Sequence, residues 1–162
     1  VKGEFGFPPF SGMFSSTAAF EAWFDVARTG LQPIVLALSV VLWLVGFDII
    51  YALQDYEFDK SHGLRSLVVA WGPQNALAAA FLAHMIMCGL LFLFGWLCHF
   101  RFIYVIGWFL IVGCLFLEHW IARRRSLTWI NVAFFRLNAV VGIVFLAIVA
   151  AEVVFQGGFQ LR

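Results

Sequence analysis

Four long stretches of this chain carry almost nothing but apolar side chains, and short polar stretches separate them. The apolar runs cover residues 33–55, 76–97, 102–122 and 130–155. Each is long enough for an α-helix to cross about 30 Å of hydrocarbon, which takes about 20 residues. Asp48 interrupts the first run. A polar loop, residues 55–74, follows it and closes on Gly72-Pro73, a pair that stops one helix and starts the next. Ahead of the four runs, residues 3–16 are rich in Gly, Pro and Ser and read as loop. Residues 18–28 fit a short amphipathic helix with Phe20, Trp23 and Phe24 resting in the membrane interface. The pattern predicts an all-α integral membrane chain with four transmembrane helices and no internal repeat.

Composition agrees. Hydrophobic residues make up 64% of the 162 and charged ones 12%, with a mean hydropathy of +0.96. A soluble domain of this size has too small a core to hide that much apolar surface. A net charge of +1 leaves no electrostatic footprint for nucleic acid. Cys88, Cys98 and Cys114 form no CxxC pair and read as small packing residues. Trp96 and Trp129, near span ends, read as interface belt.

Basic residues set the orientation. Lys60, Arg65 and the run Arg123-Arg124-Arg125 fall in the first and third connections, whereas the second offers Arg101. By the positive-inside rule the first and third connections face the cytoplasm of a plasma (inner) membrane, and both termini lie outside. With no initiator Met and no signal peptide, the chain is expected to be the C-terminal part of something longer.

The chemistry gathers at the end of the first run. Asp48, Asp55, Glu57 and Asp59 stand within twelve residues, followed by Lys60, His62, Gly63 and Arg65. On a continuous helix, offsets of 7 and 11 bring Asp55 and Asp59 to within about 20° of Asp48. Asp55 and Asp59, four apart, then share a face with Cβ atoms about 6 Å apart. Clustered carboxylates repel unless a cation sits among them, and oxygen ligands suit Mg²⁺, above all when a phosphate shares the ion. Glu57 is out of register and reads as a solvated charge. Asp48, about 10 Å deeper, costs about 2.5–3.5 kcal/mol in lipid and is expected to face a cavity with a partner.

The stretch resembles the second aspartate motif of the UbiA superfamily of intramembrane prenyltransferases, roughly D-x-x-Y-A-x-x-D-x-x-x-D-x-x-x-G-x-x-S. Asp48, Tyr51, Ala52, Asp55, Asp59, Gly63 and Ser66 match position by position, with Arg65 where a basic residue is usual. Residues 133–142, which include Phe134, Phe135, Asn138 and Gly142, are similar to the family's last-helix pattern of an aromatic, then Asn, then Gly. The likeness covers residues 31–155 and is nearest to 4-hydroxybenzoate polyprenyltransferases of quinone biosynthesis. It implies a bundle of about nine helices of which this chain is the C-terminal portion, with residues 1–30 an outer loop, 31–155 the membrane domain and 156–162 a tail. The family's first aspartate motif is absent, so the missing N-terminal half is an implied partner and the chain alone an incomplete enzyme.

The resemblance further implies Mg²⁺-dependent transfer of a polyprenyl group from an isoprenoid diphosphate to a small aromatic acid such as 4-hydroxybenzoate. Asp48, Tyr51, Asp55 and Asp59 would form the catalytic set, with Asp55 and Asp59 on the metal. Lys60, Arg65 and Asn138 would contact substrate. The alternatives are another aromatic acceptor, a naphthoate or other menaquinone-pathway acid, or a non-catalytic or transport protein. Hydropathy excludes soluble isoprenyl synthases, and the D-G-x-x-A-R signature of alcohol phosphotransferases is absent.

Other polar positions within the spans carry two readings each. Asn131 and Asn138, seven apart, share a face and either look into a cavity or bond across helices. Glu118 and His119 either pair with the basic loop or contact the aromatic acid. Arg136 is expected to snorkel to the interface. His84 and His99 read as structural.

Overall fold

A computed structural model describes residues 16–123 and 127–160, with side chains over 16–123 and 135–155. Helix α1 is Thr17–Ala52, α4 Pro73–Leu97, α5 Phe102–Arg123 and α6 Leu127–Gln160. Between α1 and α4 come a 3₁₀ turn, Leu53–Asp55, and the short helices α2, Tyr56–Ser61, and α3, Leu67–Trp71. All four expected spans are present as helices apolar enough to cross a membrane. The chain is an all-helical integral membrane protein.

The first span differs from expectation at its start. Residues 18–28 are not a separate amphipathic helix but the opening turns of α1, which runs on through Pro33. Ser16, in extended conformation, caps it by accepting from the Ala19 N–H at 3.1 Å. Membrane helices tolerate an internal proline because neighbouring groups meet the freed backbone acceptor. The polar residues of this segment serve the bundle. Arg28 and Gln32 donate to the Leu97 carbonyl, at 3.3 and 3.0 Å, so α1 supplies donors to an orphan acceptor at the C-terminus of antiparallel α4. Arg28 also pairs with Asp25 at 3.3 Å.

α1 lies along α4, α4 meets α5, and α5 packs on α6. Val35, Met87, Leu91, Ile111, Leu115 and Val141 join all four in one core. Cys88 is buried in it, in the packing role its context predicted. Without a hydrophobic drive between helices in lipid, close approach at small residues and interhelical hydrogen bonds hold such a bundle. Both occur here. Cβ atoms at Gly95 and Gly107 would strike Tyr104 and Ile148. Tyr104 Oη donates to the Leu91 carbonyl at 2.7 Å, and Trp108 Nε1 to that of Cys88 at 2.9 Å.

Glu152, 2% exposed in α6, carried no signal in the sequence beyond its rarity in a span. Its carboxylate accepts from the Tyr104 N–H at 3.0 Å, capping the first turn of α5 from another helix. Glu152→Leu is expected to destabilise the bundle by about 1–2 kcal/mol through the lost cap, and Glu152→Gln, which keeps an acceptor, by less. Thermal unfolding in detergent checks the order.

Candidate functional site

The aspartate stretch is not one unbroken α-helix. The 3₁₀ turn tightens the chain over Leu53–Asp55, and Asp55 leaves it at φ −91°, ψ 1° to head α2 without a side-chain cap bond. The angular bookkeeping for a continuous helix therefore holds for Asp48 and Tyr51 in α1 but not across the turn. Asp48 and Asp55 are exposed, and Asp59 is half-buried.

Two motif positions have structural explanations. α2 ends in a Schellman arrangement, in which Leu64 N–H reaches the Asp59 carbonyl at 2.9 Å and Gly63 N–H that of Lys60 at 3.4 Å. This end needs a left-handed residue, and Gly63 supplies φ +66°. Ser66 then starts α3, its Oγ accepting from the Val69 N–H at 3.3 Å. Arg65 is held, exposed, between these two fixed points. Lys60 is exposed, with Nζ 5.5 Å from the centre of the Tyr56 ring. Gly72, at φ +76°, and Pro73 divide α3 from α4 as their spacing predicted.

Asp48 lies about 200° around α1 from buried Ile50 and from buried Gly46, so its carboxylate turns away from the packed bundle. Aromatic rings flank it. Phe47 and Tyr51 stack at 6.5 Å, and Phe135 of α6 meets them edge-on at 6.4 and 6.2 Å. Tyr51 and Phe135 remain 43% and 56% exposed, so the cluster presents π-faces beside Asp48.

A second polar group lies inside the bundle. Trp43 Nε1 donates to Asn138 Oδ1 at 2.9 Å, and Asn138 Nδ2 donates to Glu118 Oε1 at 3.3 Å. His84 Nε2 faces the Trp43 carbonyl at 3.3 Å, and its Nδ1 faces His119 Nε2 at 3.0 Å. A carbonyl only accepts, so neutral His84 is protonated on Nε2. Its Nδ1 must then accept from His119 Nε2, which leaves a lone pair on His119 Nδ1. That atom is buried without a hydrogen-bond partner, as is Glu118 Oε2.

All four long helices contribute, and the network accounts for His84 as structural. It joins Glu118 and His119 to the bundle and gives Asn138 bonds across helices. His99 ends α4 at φ +54° with Phe100 N–H on the Gly95 carbonyl, a structural position as well. Arg136 is exposed, as snorkelling requires. Asn131 and Trp129 fall outside the residues with described side chains.

Among the described residues no three His, Cys, Asp or Glu side chains gather into a metal cage. Mg²⁺ does not need one, since it is typically held by one or two carboxylates with substrate phosphates completing its shell. Exposed Asp55 and half-buried Asp59 fit an ion that arrives with a phosphorylated substrate.

Residues 4–154 match the sequence pattern that defines the UbiA prenyltransferase family. The chain is 27% identical over 146 residues to a 4-hydroxybenzoate octaprenyltransferase of Burkholderia mallei, covering 90% of this chain and 47% of that protein. It is 25% identical over 122 residues to the Herminiimonas arsenicoxydans protein of the same description, 75% of this chain and 39% of that one. A mitochondrial 4-hydroxybenzoate polyprenyltransferase of Saccharomyces cerevisiae is 40% identical over 62 residues, 35% of this chain and 17% of its own length. The chain thus spans less than half the length of these relatives. No solved structure matches it.

Proposed function

The chain belongs to the UbiA prenyltransferase family, and on that premise we propose that it forms the diphosphate-binding side of an intramembrane enzyme that transfers a polyprenyl group to an aromatic acid. The observation that carries this reading is the aspartate stretch itself. Its carboxylates lie at one end of a transmembrane helix, with Lys60 and Arg65 exposed one and six residues after Asp59 and with Phe47 and Tyr51, which flank Asp48, clustered with Phe135. An isoprenoid diphosphate with its head at that end and its hydrocarbon in the membrane meets each group in turn. The relatives described as 4-hydroxybenzoate prenyltransferases favour that acid as acceptor.

In the reaction, the allylic C–O bond breaks and its electron pair leaves with the diphosphate. The aromatic ring carbon then bonds to the allylic carbon and loses its proton. Asp55 and Asp59 would hold Mg²⁺, whose chemistry there is to neutralise the charge growing on the departing diphosphate. Arg65, and Lys60 beside it, share that load as cations aimed at the developing charge. Phe47, Tyr51 and Phe135 keep water from the allylic cation and offer it their π-faces. Asp48 orients the reacting groups from the deeper turn. Asn138, buried with its amide bonded to Trp43 and Glu118, would act on the substrate through that network. Turnover of an isoprenoid diphosphate with 4-hydroxybenzoate by the chain joined to the N-terminal half of a full-length relative, lost on removal of divalent cation, is the test. Cation-independent turnover would overturn the metal assignment, and no turnover with any aromatic acid would overturn the function.

Gly63→Ala is expected to cost about 1 kcal/mol, because a Cβ at φ +66° crowds the following carbonyl. It should also raise KM for the diphosphate by shifting Arg65, and a KM equal to wild type would separate Arg65 from the substrate. The basic residues of the first and third connections favour a cytoplasmic aspartate end in a plasma membrane. In a cysteine-free background, Ser61→Cys should resist an impermeant thiol reagent applied to intact cells, whereas Arg101→Cys should react. The reverse pattern would invert the topology.

A further inference from the structure

A cleft of about 940 Å³ opens between the 3₁₀ turn with α2, the first half of α4 and the last half of α5. None of Asp48, Asp55, Asp59, Lys60 or Arg65 lines it, but Gln54, Tyr56 and Glu57 on either side of Asp55 do, so it adjoins the diphosphate site proposed above without sharing its residues. Its walls are aromatic and amphipathic in placement. Phe81, Phe116 and Trp120 line it and also stand 37%, 51% and 53% exposed, so the cleft opens onto the apolar outer surface of these helices. Its charged and polar groups are Arg123, Glu57, Gln54, Gln74 and His119.

Two of those groups have unmet hydrogen-bonding capacity. His119 is 8% exposed and its Nδ1 has no partner, and the tautomer chain through His84 makes that atom an acceptor. Gln54 Nε2 is a buried donor without a partner. Leaving such groups unmet costs about 1–3 kcal/mol each. Both atoms are themselves buried, so a ligand reaches them only as the His119 ring or the Gln54 amide turns; the cleft then offers an acceptor and a donor beside the Arg123 cation and an apolar slot.

The geometry points to a hydroxyl-bearing anionic phospholipid headgroup as the occupant. The phosphodiester would meet Arg123 and the Gln54 amide, a headgroup hydroxyl would donate to His119 Nδ1, and an acyl chain would follow Phe81, Phe116 and Trp120. Glu57 on the rim disfavours a second negative charge, which selects a singly charged phosphodiester over a phosphomonoester or diphosphate. Arg124 and Arg125 follow Arg123 in sequence, and basic groups between helices at a membrane surface draw anionic lipid.

The test uses the whole chain, delipidated in a neutral detergent and titrated with phosphatidylglycerol, phosphatidylcholine or water-soluble glycerol phosphate. Binding is read by native mass spectrometry and thermal unfolding. Phosphatidylglycerol should bind and raise the unfolding temperature, phosphatidylcholine should do so at least about tenfold more weakly, and glycerol phosphate should not. Arg123→Ala and Gln54→Leu, both peripheral to the core, should each weaken phosphatidylglycerol about tenfold, in line with loss of a hydrogen bond to a charged group. Equal binding of both lipids, or wild-type affinity in both variants, would overturn the site. Glycerol phosphate binding as tightly as the lipid would show a soluble phosphate site instead. All these readouts are independent of prenyl transfer.

Discussion

Replacing Asp55 or Asp59 by Ala in a complete enzyme of the kind proposed should cut prenyl transfer by about 10²–10³-fold, equivalent to about 3–4 kcal/mol of lost transition-state stabilisation. The expectation rests on the sparseness of the site. Two carboxylates at the junction of the 3₁₀ turn and α2 are the metal-binding groups assigned to this side, and no cage of three stands behind them among the described residues. Losing either leaves the ion one protein ligand from this side while diphosphate departure still demands full neutralisation. The fold should hardly notice. Asp55 makes no capping bond and is exposed, and removing one of several like charges relieves repulsion. Insertion and thermal unfolding should match wild type, as should turnover of Glu21→Ala at the far end of α1. A variant that keeps its turnover would remove that carboxylate from the mechanism, and one that fails to insert would mark it as structural.

The second large effect is on stability. Gly46 of α1 packs against the imidazole of His84, and a Cβ there would run into the ring. His84 is wholly buried and held at both nitrogens, by the Trp43 carbonyl and by His119, so it has no free direction in which to move. Gly46→Ala should therefore separate α1 from α4 at the turn just below Asp48, at a cost of about 1–3 kcal/mol. This is opposite in sign to the usual gain of replacing glycine within a helix. The clash gives the prediction a control. In a His84→Ala background the added methyl has room, and Gly46→Ala should cost only a few tenths of a kcal/mol, so that a double-mutant cycle returns most of the penalty as coupling. Equal costs in both backgrounds would show that the imidazole is not what excludes a side chain at position 46.

Both effects arise where the aspartate stretch meets the buried network, and the two were not equally visible beforehand. The spans were legible because lipid leaves the chain few options. Every backbone group must be bonded within the segment, so an apolar run of about 20 residues becomes a helix. The Gly72-Pro73 break and the Gly63 and Ser66 positions were legible for a related reason, since each answers a local backbone requirement. The family likeness read from Asp48 to Ser66 has the same basis, a set of positions fixed by one continuous stretch and matched by the family pattern over residues 4–154.

Only the tertiary structure decided which polar groups meet across helices. Trp43, His84, Glu118, His119 and Asn138 come from four helices and up to 95 residues apart, and no spacing rule pairs them. The same holds for Glu152 capping α5 and for Arg28 and Gln32 reaching the end of α4, which turned an expected interfacial segment into the first turns of α1. The physical reason is one of range. Helix propensity, capping and apolar length act over a turn or a span and are written in consecutive residues. The partner of a buried donor or acceptor is set by how helices rotate and slide against one another, and that is settled by packing at Gly46, Gly95 and Gly107, where a single missing methyl lets a ring approach.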